Sequence, residues 1–271
     1  MPLAPSPRVY ASYARCAFQR RAAYRLANLS GIVVNFFFFL IHAQVFLAFF
    51  GGRGTVAGWS ADQAVRYFAT SEALLMVVGA MSASVGVELA DRVRSGDVVV
   101  DLARPVRLWA RHLSESYGTA AYYLLARSIL LYAAAVVLYR LTPPIGPVLL
   151  LFPLSLALGV GISALVQYTL AASAYWIENP RGPLRAMMFL SFLFGGIVVP
   201  LDFYPEGFRQ VCDVLPFRAW IYTPIALATG KLTGMELLFG LAHQIGWFAL
   251  LAGVAHGVEL RGTRRLAALG G

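Results

Sequence analysis

The chain has 271 residues, 59% of them hydrophobic and 13% charged, whereas an ordinary soluble domain carries about 45–50% apolar and about 25% charged residues. Those proportions exclude a water-soluble globule, and unbroken apolar runs such as Gly31–Phe50 exclude the short alternating strands of an outer-membrane barrel. The net charge of +9, from 22 Lys and Arg against 13 Asp and Glu, lies between the apolar runs, so it is read as topology and not as a nucleic-acid footprint.

The segment Met1–Asn28 carries five arginines before any long apolar run and is followed by further spans, unlike a cleaved secretory signal. At 100° per residue, Val9, Tyr10, Tyr13, Cys16, Ala17 and Tyr24 share one arc and Arg8, Arg15, Arg21 and Arg25 the opposite one, with Phe18 and Arg20 breaking the pattern. This predicts an amphipathic helix over 8–25, lying in the inner membrane interface. The alternative is a polybasic topology anchor.

A helix needs about 20 apolar residues to cross the hydrocarbon layer, and six segments qualify: Leu29–Phe50, Tyr67–Ala90, Tyr117–Leu141, Val148–Ile177, Leu184–Leu201 and Met235–Leu260. The fourth would be about 45 Å long as one straight helix. It is therefore tilted, extended into the cytoplasm, or interrupted at Pro153 or at Gly159–Gly161.

Between spans two and three, 91–116 predicts a cytoplasmic elbow. Span two continues through Glu88, Asp91, Arg92 and Arg94 to a Ser95-Gly96-Asp97 stop; Gly and Asp suit a helix end. A short apolar stretch, Val98–Leu102, follows, and Pro105 opens a second helix containing Val106, Leu108, Trp109 and Leu113. Mixed charges and exposed apolar groups suit docking of a soluble protein.

Before span six, 202–232 is too apolar for a solvated loop, with Phe203, Tyr204, Phe208, Phe217, Trp220 and Tyr222, yet Pro200, Pro205, Pro216 and Pro224 cut it into pieces too short to cross. Two short helices dipping back into the outer half of the membrane are expected, their irregular backbone covered by protein.

Six spans place both termini on one side. Fifteen arginines, in the N-terminal segment, the elbow, the pair Arg181 and Arg185, and the tail, sort to that side; Arg53, Arg66, Arg140, Arg209, Arg218 and Lys231 sort to the other. The termini are accordingly expected in the cytoplasm.

This order of parts resembles the permease subunits of ABC-2 type transporters, in particular the branch described as ABC-2 family transporter proteins. Two stretches carry the resemblance: Asp101-Leu-Ala-Arg-Pro-Val-Arg-Leu-Trp in the elbow, and Gly195-Gly-Ile-Val-Val-Pro-Leu-Asp-Phe-Tyr-Pro leading to Leu215-Pro-Phe-Arg-Ala-Trp-Ile-Tyr-Thr-Pro and Gly230. The resemblance implies an all-α polytopic export permease of the bacterial inner membrane, paired with a second permease, more readily a different one than a copy. An ABC ATPase dimer, which holds the ATP and Mg, drives it. It also implies that the ATPase couples through the helix around Arg104, Pro105, Arg107 and Trp109, with Asp97 and Asp101 beside it. The implied cargo is amphipathic or lipid-like: a drug, a toxic aromatic cation, a lipid or a glycoconjugate.

The residues themselves are consistent with a subunit that has no ATPase activity of its own. A phosphate-cradling loop requires G-x-x-x-x-G-K-[S/T], whereas Gly230-Lys231 is followed by Leu232 and has Ile225 at the first glycine position. No cofactor is expected on this chain, no metal spacing is apparent among its His, Cys, Asp and Glu residues, and the partners expected are proteins and membrane lipid, not nucleic acid. Arg127, near mid-depth of span three, must face the bundle or a wet cavity; Glu72 is its candidate partner, and the two together are the basis of an alternative, a proton-driven secondary transporter. His42, Gln44, Gln167, His243 and Gln244 are polar points within spans that either join helices or contact cargo. Gly195 and Gly196 either allow close helix approach or, with the four prolines, bend at an outer gate.

Overall fold

A computed structural model describes residues 6–52, 54–79, 84–142, 148–177 and 179–269. Among them every regular element is helical, apart from one isolated bridge between Val56 and Trp59. The helices are α1 (Pro7–Ala22), α2 (Arg25–Phe50), α3 (Ala61–Leu74), α4 (Ser84–Ser95), α5 (Val98–Leu102), α6 (Leu108–Tyr123), α7 (Ile129–Tyr139), α8 (Val148–Ala172), α9 (Arg181–Phe194), α10 (Glu206–Val214), α11 (Thr223–Ala228) and α12 (Gly234–Leu269).

Among the described residues, four helical stretches are long and apolar enough to cross a membrane: Asn28–Phe50, Leu108–Tyr139, Leu150–Tyr175 and Gly234–Leu266. A fifth candidate is the pair Glu206–Val214 and Arg218–Ala228, bent by 82°. Six such stretches are not found among the described residues, because two of the expected spans are not single helices there.

The first is Tyr67–Ala90. A capping box starts α3, with Ser60 Oγ accepting from the Gln63 amide and Gln63 Oε1 from the Ser60 amide. The helix stops at Leu74, and Leu75–Gly79 run as turns before α4 begins at Ser84. Apolar content made the segment look like a span, but the helical ladder does not continue through it.

The second is Leu184–Leu201. Here α9 ends at Phe194, and Gly196 takes a left-handed φ of 71°, which turns the chain. The freed carbonyls find partners on α3: Tyr67 donates its hydroxyl to Gly196 at 2.7 Å and Ser71 to Ile197 at 3.2 Å. Irregular backbone is tolerated at membrane depth when protein covers it in this way.

The remaining boundaries shift less. The predicted interface helix ends at Ala22 instead of residue 25. The second arm of the elbow is not a separate helix opened by Pro105: it begins at Leu108 and runs through a π-turn, Leu124–Ser128, into α7. Of the three alternatives for the fourth segment, interruption is ruled out, since α8 is unbroken through Pro153 and Gly159–Gly161.

The predicted hairpin does form two short helices, and its second half is in the protein core. Trp220, Ile221, Tyr222, Ile225, Ala226 and Leu227 are all buried, around the π-turn Arg218–Tyr222 that precedes α11. Gln244 of α12, wholly buried, fastens this core: its Nε2 donates to the carbonyls of Ala219 at 2.8 Å and Ser155 at 3.0 Å, and its Oε1 accepts from Ser155 Oγ at 2.9 Å. Gln244→Leu removes a hydrogen-bond partner from three buried groups and is expected to lower stability by about 1–3 kcal/mol, measurable as a fall in Tm in detergent.

Candidate functional site

The elbow is built around a buried acid. α4 runs on to Ser95, where Gly96 adopts φ 82° and Ser95 Oγ donates to Asp97 Oδ2 at 2.7 Å, ending the helix where the Ser-Gly-Asp signal predicts. In α5, Val98 and Asp101 turn inward, whereas Val99 and Val100 are each 59% exposed. Asp101 accepts from Arg92 Nε at 2.7 Å and from Arg111 Nη1, tying α4 to α6, and Arg111 continues to Glu115 at 2.9 Å. A carboxylate with two guanidinium donors is a strong, geometrically fixed junction. Asp101 is thus an internal tie, not an outward contact.

The start of α6 is held by α12. Arg107, at the N-cap, lies 2.6 Å from His256 Nδ1. Glu259, buried, accepts from the Trp109 backbone amide at 2.9 Å and from the Tyr168 hydroxyl at 3.0 Å. It thereby satisfies one of the open amides at the α6 N-terminus and places a negative charge at the positive end of the helix dipole. Trp109, placed by the resemblance in the coupling helix, packs inward with Val93, Leu108 and Tyr168, its indole Nε1 buried without an acceptor. Asp97, Arg104, Pro105 and Arg107 remain at the surface, and Arg104 reaches the Tyr13 hydroxyl at 3.5 Å.

Helix α1 lies tight against α6. Gly118 is where they meet, and a Cβ there would fall on the carbonyl of Ala14. Phe18, which broke the predicted pattern, makes an edge-to-face contact with Tyr122 at 5.5 Å between centroids. Cys16 and Tyr24, assigned to the apolar arc, are exposed, because the buried face follows Ala14, Ala17 and Phe18. Arg15 is exposed and Arg21 half-buried; the Arg25 side chain, like residue Arg53, lies outside the described set. Arg20 pairs with Glu88 at 3.2 Å and Arg181 with Asp91 at 2.9 Å, in exposed pairs that contribute little stability.

The polar points inside the apolar helices separate into distinct environments. Glu72 does not meet Arg127: His42 Nδ1 lies 3.3 Å from its carboxylate, with the imidazole stacked on Phe68, and Arg127 sits in the π-turn beside Tyr123. The pair behind the proton-driven alternative is therefore not assembled. Gln44 joins α2 to α7 through Tyr139 at 3.0 Å. Gln167 donates to Ser163 at 3.0 Å and lines a cavity of about 30 Å³ beside the turns at Met76–Gly79. His243 accepts locally from Trp247 at 2.9 Å.

At the opposite end, Gly195 packs so closely on Ile221 that a Cβ would come within 2.6 Å of it. Pro200 and Pro224 are buried, Pro216 is half-buried, and Pro205 is an exposed N-cap of α10. This end also holds a residue that sequence reasoning missed, Asp202, whose carboxylate accepts from Trp59 Nε1 at 3.0 Å and the Tyr222 hydroxyl at 2.6 Å. Lys231 closes the same corner, donating to the Gly58 carbonyl at 2.8 Å over the Trp59 ring. Glu259 and His256 were likewise missed; their spacing of three places them on one face of α12, a signal that is visible only once that face is known to meet the elbow. Among the described residues no group of His, Cys, Asp and Glu could hold a metal ion.

The model of the family described as ABC-2 family transporter protein matches residues 29–270. No curated protein matches the chain.

Proposed function

The chain belongs to the ABC-2 family of transporter proteins, and on that premise we propose that it is the export permease of an ATP-driven complex. Members of this family are multi-pass membrane transport components that typically work with an ATPase subunit and are not themselves catalytic. In this reading the elbow faces the cytoplasm, an ABC ATPase dimer carrying ATP and Mg docks on it, and both termini lie on the same side of the bacterial inner membrane. A second permease, of different sequence, completes the pathway, and the bent pair α10–α11 is a re-entrant hairpin at the outer exit. The cargo is an amphipathic or lipid-like molecule.

The observation that carries the reading is the form of the elbow. Its inner side is fixed to α4, α6 and α12 through Asp101 and Glu259, while Val99, Val100, Arg104 and Pro105 stand outward. An apolar centre rimmed by arginine is the composition of a protein interface, and a rigid attachment allows force on it to reach the spanning helices.

Val99→Asp with Val100→Asp tests this directly. Both side chains are exposed, so stability is expected to stay within about 0.5 kcal/mol of wild type, while co-purification with the ATPase and export are lost. Arg104→Ala is expected to weaken association less. Unchanged association in the double variant would show that the ATPase docks elsewhere.

A further inference from the structure

We propose that Arg127 binds the phosphate of a phospholipid from the leaflet at the elbow side, admitted between α2 and the α6–α7 helix. Arg127 is only 9% exposed. Among the described residues no side chain or carbonyl accepts a hydrogen bond from it, its Nε is sealed off without an acceptor, and its guanidinium carbon lies 5.6 Å from the centre of the Tyr123 ring. Glu72, the counter-charge expected from the sequence, does not pair with it and lies instead beside His42, 3.3 Å from its Nδ1. A charge removed from water without an opposite charge is among the costliest arrangements in a membrane protein, so an anion completes the site.

The position of the guanidinium identifies the anion. Side chains on a helix lean toward its N-terminus, which carries the Arg127 head from the π-turn back toward the elbow. It rests against Gly31, where any Cβ would collide with it, three residues inside the beginning of the apolar run Asn28–Phe50. That is the level of lipid headgroups and not the middle of the bilayer, where the sequence position of Arg127 alone puts it. On either side stand apolar side chains turned outward, Leu29 and Val33 of α2 and Leu125, Ile129 and Leu130 of the facing helix, suited to acyl chains. A planar guanidinium matches two phosphate oxygens at once, and the absence of a side chain at Gly31 makes room for the guanidinium at this level.

The inference takes from the permease reading only the orientation of the chain, and its test needs neither ATPase nor transport, so either can fail alone. The full-length protein, purified in detergent, is titrated with phosphatidylglycerol, with diacylglycerol of the same chains, and with inorganic phosphate, and retention is read by native mass spectrometry. Wild type is expected to retain phosphatidylglycerol but not diacylglycerol. Arg127→Met is expected to weaken retention about tenfold or more, and Arg264→Ala, in the tail, to leave it unchanged. Gly31→Ala keeps the charge but displaces it and is expected to weaken retention as well, which keeps the test decisive if the Met variant misfolds. Equal retention in both Arg127→Met and Gly31→Ala overturns the proposal. So does tight binding of inorganic phosphate that displaces the lipid, which would assign a soluble anion, or a changed oligomeric state with lipid retention intact, which would assign Arg127 to an acid of a second subunit.

Discussion

Asp101→Ala is expected to cost about 3 kcal/mol, the lower end of the range for breaking a buried ion pair. The carboxylate is 3% exposed and serves two arginines; its removal leaves Arg92 and Arg111 facing each other across a small cavity. The cost is held down because both arginines keep some access to water, with 33% and 19% of their side-chain surface exposed. Local release of α5 should precede global unfolding, so trypsin cleavage at the flanking Arg94 and Arg107 is expected to accelerate at temperatures well below Tm. Asp101→Asn keeps the shape and loses the charge, and should fall between the two. If the elbow transmits force as proposed, ATPase association survives in part, since Val99 and Val100 are still present, whereas export is lost. Cleavage at the wild-type rate in the alanine variant would mean that the junction does not hold the elbow.

Gly118→Ala is expected to be destabilising even though helix propensity alone favours alanine by about 1 kcal/mol. The obstacle is the backbone carbonyl of Ala14, which cannot swing aside as a flexible side chain would, so α1 must separate from α6. Overpacking of this kind costs about 1–3 kcal/mol. It also breaks the Phe18–Tyr122 and Arg104–Tyr13 contacts. The expected readouts are a lower Tm and faster tryptic cleavage after Arg20. A rise in Tm, as propensity alone predicts, would mean that α1 is only loosely attached.

The all-helical, multi-pass class of the protein was legible because hydropathy acts over whole segments. The end of α4 at Ser95-Gly96-Asp97 and the two short helices of 202–232 were legible for a more local reason: glycine, aspartate and proline restrict what the backbone can do next. The broken segments were not. Tyr67–Ala90 and Leu184–Leu201 have the composition of spans, and the carbonyls freed where their helices stop are met by side chains from elsewhere in the fold, Ala73 by Ser128, Val78 by Trp220, and Gly196 and Ile197 by Tyr67 and Ser71, which no single segment reveals. Direction was equally hidden. Asp101 and Trp109 lie in the stretch that carries the family resemblance, yet they point into the protein, while the exposed Val99 and Val100 just before them drew no notice as individual residues. Asp202 and Glu259 read as ordinary charges at helix ends until Trp59, Tyr222, Tyr168 and the Trp109 amide are seen to converge on them.

Helix α12 joins the two ends of the molecule with one continuous rod. Gln244 grips the core of the bent pair and Glu259 grips the start of α6, about 22 Å apart along the helix axis at 1.5 Å per residue. Between those two grips lie Gly246, Gly253 and Gly257, and the space a Cβ would fill at each is open. Glycine is the most yielding residue a helix can contain, so the rod is most compliant in the very stretch that separates its fixed points. Its torsional stiffness can therefore be adjusted in graded steps by alanine at these three positions, with no contact to either end disturbed.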